Sequence, residues 1–197
     1  MFKISCHPDQ DQIIIFGTIC KFKWLFISGY GKDNYIYDSQ NKKLTIFCDL
    51  KHKENPLKLK TILIATLKDI LLKYIIDRQT YFSKIMNVED STISSIGAIE
   101  TWTLGANTIK RIAGNIKAHT IRYSGRLICF DKEIIDAVII HELGHNKHRN
   151  HSRDFWNFLE SCFNGYIEYN KTLNKIAFTA RKSSAKVVFE LVQYDDE

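Results

Sequence analysis

Two prolines and nine glycines among 197 residues are too few for a collagen-like chain or a Pro/Gly-rich low-complexity protein. No apolar run reaches the roughly 18–20 residues that span a bilayer. The longest candidates, Ile13–Cys20 and Thr61–Leu67, stop at lysines. The opening Met1-Phe2-Lys3-Ile4-Ser5-Cys6-His7-Pro8 lacks the apolar stretch of a signal peptide. Cys6 therefore reads poorly as a lipidation site, and the expected location is cytoplasmic. The five cysteines, Cys6, Cys20, Cys48, Cys129 and Cys162, are odd in number and form no CxxC pair. A disulfide framework or a zinc ribbon is thereby disfavoured, and buried reduced thiols are expected. No Gly-rich phosphate loop of the P-loop type occurs either.

What the chain does contain suits a soluble globular protein of one compact domain with an added arm. Hydrophobic residues make up 45%, charged residues 25% and aromatics 12%. The formal charge of +6 permits weak contact with nucleic acid or an anionic substrate without showing it.

Residues 12–50 read as a β-meander of three or four strands. The runs Ile13–Phe16, Lys21–Phe26, Asp33–Asp38 and Leu44–Cys48 are separated by turn chemistry at Gly29–Asp33 and Ser39–Lys43. Asn55-Pro56 then opens a helix, asparagine as N-cap and proline at the first helical position. Leu59, Leu63, Leu67, Ile70, Leu71 and Tyr74 recur at helical intervals, predicting a long amphipathic helix to about Met86 that packs a core. Short strands are expected at Ile99–Leu104, Ile109–Ile112, Ala118–Tyr123 and Arg126–Phe130, with turns at Gly105–Asn107, Gly114-Asn115 and Ser124-Gly125. A second helix is expected from Asp131 or Lys132 through His145, and a third from an N-cap at Ser152 to about Cys162 or Phe163. Ala185–Val192 reads as a further strand before an acidic end. The expected divisions are a β-rich arm over 1–54, a main domain over 55–175 and an extension over 176–197.

Four of the seven histidines lie between residues 141 and 151. His141, Glu142 and His145 form HExxH. On a helix, positions i and i+4 share one face, so both imidazoles reach one ion while Glu142 stands beside them. Ile134, Ile135, Val138, Ile139 and Ile140 make the preceding helix apolar. Polar groups at its inner end are costly unless paired or ligated. Gly144 inside the helix points to close approach by another backbone or by substrate.

Asn146–Asn150 can end the helix and turn the chain, so that His151 swings back as third ligand. Three protein ligands leave one tetrahedral position for water, as catalytic zinc requires. Zinc would bring the pKa of that water to about 7, and Glu142 would take its proton as it attacks. His148 reads as exposed or as support behind the ligands. His7, His52 and His119 carry no ligand spacing. His119, Arg122 and Tyr123 are candidates for stabilising a developing oxyanion.

The run Ile135–His145, followed by Asn150-His151-Ser152 and Phe155-Trp156, resembles the YgjP-like metallopeptidase family and, more distantly, the SprT-like and WLM zinc proteases. The motif match covers 133–156; the order of elements extends the likeness to about 10–170. The resemblance implies an α+β, minimal zincin-like fold. It also implies one Zn2+ per chain held by His141, His145 and His151, with Glu142 as general base and Phe155 and Trp156 packed beneath the site. The sequence departs from the family at a Trp-Gly-Ser-Cys segment, replaced by Lys110-Arg111-Ile112-Ala113-Gly114-Asn115. Arg111 is the candidate for the family's basic position, and the difference bears on the substrate groove.

The leading expectation is a zinc-dependent metallopeptidase acting on a peptide or protein, in which zinc-bound water activated by Glu142 attacks the peptide carbonyl. Three others stand beside it: a UTP-type nucleoside triphosphate pyrophosphatase, a SprT-like protease of DNA-bound proteins, and a non-catalytic zinc module in which His148 or Cys162 closes the site. Other divalent ions also suit three imidazoles.

Overall fold

The structure is a computed structural model, and it describes residues 11–88, 93–97, 103–112 and 116–171. The fold is mixed α+β, as expected. N-terminal strands precede a long helix, and further strands and helices follow.

The first sheet contains β1 (Gln12–Ile15), β2 (Thr18–Ile27), β3 (Asn34–Asp38) and β4 (Lys43–Asp49). In β2, Cys20, Phe22 and Trp24 are buried while Lys21 and Lys23 are exposed, the period-two pattern of a half-buried strand. The strands stand where the residue pattern places them, but they do not form a meander. Their order is β1-β2-β4-β3, and β2 runs parallel to β4. Periodicity marks a strand and its buried face; it does not name the neighbour. Here the segment after β2 crosses over, and β3 returns beside β4 through a turn. In that turn the Asp38 carboxylate accepts from the backbone N–H groups of Gln40 and Asn41.

The β1–β2 turn has positive φ at both central residues, 51° at Phe16 and 71° at Gly17, as a two-residue hairpin turn requires. The Phe16 N–H donates to the Ile128 carbonyl at 2.7 Å. A Cβ on Gly17 would fall 1.8 Å from a carboxylate oxygen of Asp131. This corner therefore packs against the start of the helix that carries the histidines.

Helix α1 (Pro56–Met86) matches its expectation. The Asn55 side chain accepts from the Lys58 N–H, Pro56 begins the first turn, and Asn87 ends the helix in the left-handed region. Its buried face includes Leu59, Leu63, Leu67, Ile70 and Leu71. One continuous buried cluster joins this face to the first sheet and to α2 (Lys132–Gly144) and α3 (Arg153–Cys162). Arg78 of α1 holds Asp136 of α2 through a two-pronged ion pair at 2.7–3.1 Å, and the Tyr74 hydroxyl donates to the same carboxylate at 2.8 Å. No helix among the described residues is long and apolar enough to cross a membrane.

The second sheet is β5 (Ile93–Ile96), β7 (Ile116–Tyr123) and β6 (Gly105–Ile112), in the order β5-β7-β6. Three expectations are corrected. Gly105–Asn107 is the start of β6, not a turn. Arg126–Phe130 is not a strand. Gly125–Cys129 form a tight helical turn capped by the Ser124 side chain, and all five residues are buried, so no alternation exists. Thr103 and Leu104 are irregular, while 99–102 lie outside the described residues, as do Gly114-Asn115 and Ala185–Val192. Strand β5 carried no sequence signal that was read.

Candidate metal centre

Helix α2 enters the core almost wholly apolar: Ile135, Ala137, Val138, Ile139 and Ile140 are buried. That burial fixes its rotation and brings His141 and His145 onto one face at its inner end. After Gly144 the chain reverses. The Gly144 carbonyl accepts from the N–H groups of both Lys147 and His148, which tightens the turn. Ser152 caps α3 as expected, by backbone geometry and without a side-chain bond.

The turn returns His151 to the other two. One ring nitrogen from each of His141, His145 and His151 lies within 4.8 Å of the others, a group that could hold a metal ion. The Nε2 atoms of His141 and His151 are 2.8 Å apart. His145 Nδ1 lies 2.9 Å from the His148 carbonyl. A carbonyl only accepts, so Nδ1 carries the proton and Nε2 keeps its lone pair for a metal. A backbone partner that sets the tautomer in this way is usual behind a ligating imidazole. His148 thus supports the site through its backbone, while its ring lies against Phe158. Burial and the two neighbouring imidazoles push His141 down to about 3, which keeps it neutral, the form that ligates. His151 is lowered by burial and by the neighbouring His145. These donors fit a divalent ion of the zinc type.

The floor of the site is Phe155, whose side chain has no exposed surface. Its ring stacks on His145 with centroids 4.8 Å apart and meets His141 and His151 edge-on at 5.1 and 5.0 Å. Trp156 stacks on His151 at 5.8 Å. The expected packing of both aromatics beneath the histidines is what the structure contains. Gly144 explains how α3 comes so close. A Cβ there would lie 2.9 Å from both Phe155 and Leu159. The close neighbour is therefore the third helix.

Glu142 is buried at 5% exposure beside the histidines. Desolvation pushes its carboxyl up to about 7, with a backbone hydrogen bond from Asn107 pulling the other way. It sits against Gly105, where a Cβ would fall 2.5 Å from its Oε1.

Asn107 is the residue beside Glu142 that the sequence did not disclose. Its Nδ2 donates to the Glu142 carbonyl at 2.6 Å and to Asn146 Oδ1 at 2.7 Å. Its Oδ1 pairs with His119 Nδ1 at 3.0 Å. It ties β6 to the end of α2. The only available signal was a Gly-Ala-Asn triplet, which reads as a turn.

The oxyanion candidates separate. His119 stands behind Asn107. Tyr123 is fully buried and its hydroxyl donates to Gln79. Arg122 pairs with Ala106, so its alternation puts it on the sheet face opposite Asn107 and Gly105. Lys110–Ile112 lie at the far end of β6, and Ala113–Asn115 lie outside the described residues.

His141, Glu142, His145, Arg149 and His151 line one side of a cleft of about 480 Å³. Gly105, Ala106, Asn107 and Ile109 of β6 line the other. The cleft thus brings a three-nitrogen group that could hold a metal ion together with a neighbouring carboxyl. The chain belongs to the YgjP-like metallopeptidase family, whose domain matches residues 31–176, well over half its length. Comparison with curated proteins and with solved structures finds no match in either.

Proposed function

We propose that this protein is a zinc-dependent peptidase in which His141, His145 and His151 hold the ion and Glu142 is the general base. The observation that carries the reading is the convergence of three ring nitrogens within 4.8 Å, in the cleft that also contains Glu142. Family membership makes a peptide the substrate of choice. A divalent ion in such a site supplies Lewis acidity and makes water nucleophilic at neutral pH.

The chain's own residues do the rest. Glu142, held near neutrality by burial, takes a proton from the attacking water and returns it to the departing amine as the peptide C–N bond breaks. Gly105 leaves room for the carboxyl to reach the cleft, and Asn107 holds its backbone. Phe155 and the His148 carbonyl fix the imidazoles before any substrate arrives.

The test is digestion of a mixed peptide library by protein purified without added metal, with and without a chelator. Cleavage that the chelator abolishes and stoichiometric zinc restores supports the reading. Cleavage indifferent to the chelator would refute it. Restoration by another divalent ion, but not by zinc, would correct the metal and leave the peptidase.

A further inference from the structure

We infer that Arg149 makes this cleft selective for peptides that present a carboxylate beside the bond to be cut; this rests on the peptidase reading. Arg149 lies in the turn between the second and third histidines and lines the cleft with them, exposed to solvent. Among the described residues its guanidinium has no hydrogen bond, ion pair or ring contact. The other basic residue of that turn is engaged: Lys147 Nζ sits 4.4 Å over the Phe158 ring.

Among the described residues, nothing lining the cleft neutralises Arg149: the opposite wall, Gly105 to Ile109, carries no charge, and the one acidic lining side chain, Glu142, is buried against Gly105. A guanidinium left free at the edge of a concave site offers a planar fork of donors matched to a carboxylate. A bound divalent cation would deepen the positive field and exclude lysine or arginine from the same place. Two sources of carboxylate fit: an Asp or Glu side chain near the scissile bond, or the C-terminus of a short peptide.

The experiment uses N-acetylated octapeptides in which Glu, Gln or Lys is walked through each position, every one made as a C-terminal acid and as an amide. Wild type, Arg149→Ala and Arg149→Glu are compared by kcat/KM, with metal content measured alongside. Wild type should favour Glu over Gln at one position, or acid over amide, by about fivefold, the scale of a solvent-exposed charge pair. Arg149→Ala should remove that preference and Arg149→Glu should turn it toward Lys, with metal content unchanged. A preference that weakens in added salt agrees with the inference. Wild type without any such preference, or variants that keep it, would overturn it. Equilibrium binding of the same peptides to the metal-free protein reads charge recognition apart from catalysis. Selective binding lost in Arg149→Ala, with no cleavage by wild type, would keep the carboxylate site and discard the peptidase.

Discussion

The two walls of the cleft are built by different means. The histidine wall is a helix, a turn and a helix, and it is local: His141 and His151 are ten residues apart, and their nitrogens meet at 2.8 Å. The strand wall is non-local. Gly105 and Asn107 come to Glu142 from more than thirty residues away, through a strand that must first pair with β7. In the proposed reading the first wall would hold the metal by the chemistry of its side chains. The second acts mainly by small size and by one amide. The lesson is that the ion and the carboxyl are supported separately, so they can be damaged separately.

The largest expected effect is on the local wall. His151→Ala leaves two imidazoles, and zinc affinity should fall by more than the roughly 10- to 100-fold typical of losing a partner behind a ligand. Titration against a chromophoric chelator measures it. Gly105→Ala should do the reverse. Its methyl would occupy the place of the Glu142 carboxyl, so kcat should fall by about 100-fold, as for a misplacement near 1 Å, while zinc affinity holds. Asn107→Ala removes the amide from the Glu142 carbonyl and from Asn146. A fall of about tenfold in kcat is expected, with KM less affected; steady-state kinetics separates the two. The smallest effect is Gly144→Ala. Alanine gains about 1 kcal/mol of helix propensity but presses Phe155 and Leu159, and overpacking costs about 1–3 kcal/mol. A net loss of about 1 kcal/mol in urea unfolding should result. If Gly105→Ala lost its metal, the two walls would not be independent; if His151→Ala kept it, His151 would not be a ligand.

The same contrast decides what was legible beforehand. Helix α1 was readable to its ends because Asn55, Pro56 and the leucine stripe are local signals. The convergence of His141, His145 and His151 was readable because a helical turn and a reversal convert residue spacing into geometry, and Phe155 and Trp156 came with the family pattern. Strand partners were not readable. Lys21–Phe26 shows an inner and an outer face, but nothing in it says that β2 pairs parallel with β4. Gly105-Ala106-Asn107 was misread for a physical reason. Small residues that favour turns are also what a strand needs where a carboxyl must lie against its backbone. The strand expected at Arg126–Phe130 is a helical turn over Gly125–Cys129, because a buried apolar run has no period to distinguish the two.

The most direct measurement of the central claim is peptide hydrolysis by Glu142→Gln loaded with one equivalent of zinc. The substitution keeps the shape of the side chain and removes its basicity. Zinc affinity should stay within about threefold of wild type, and kcat should fall by about 100-fold or more. Cleavage at the wild-type rate, with zinc bound, would contradict that claim.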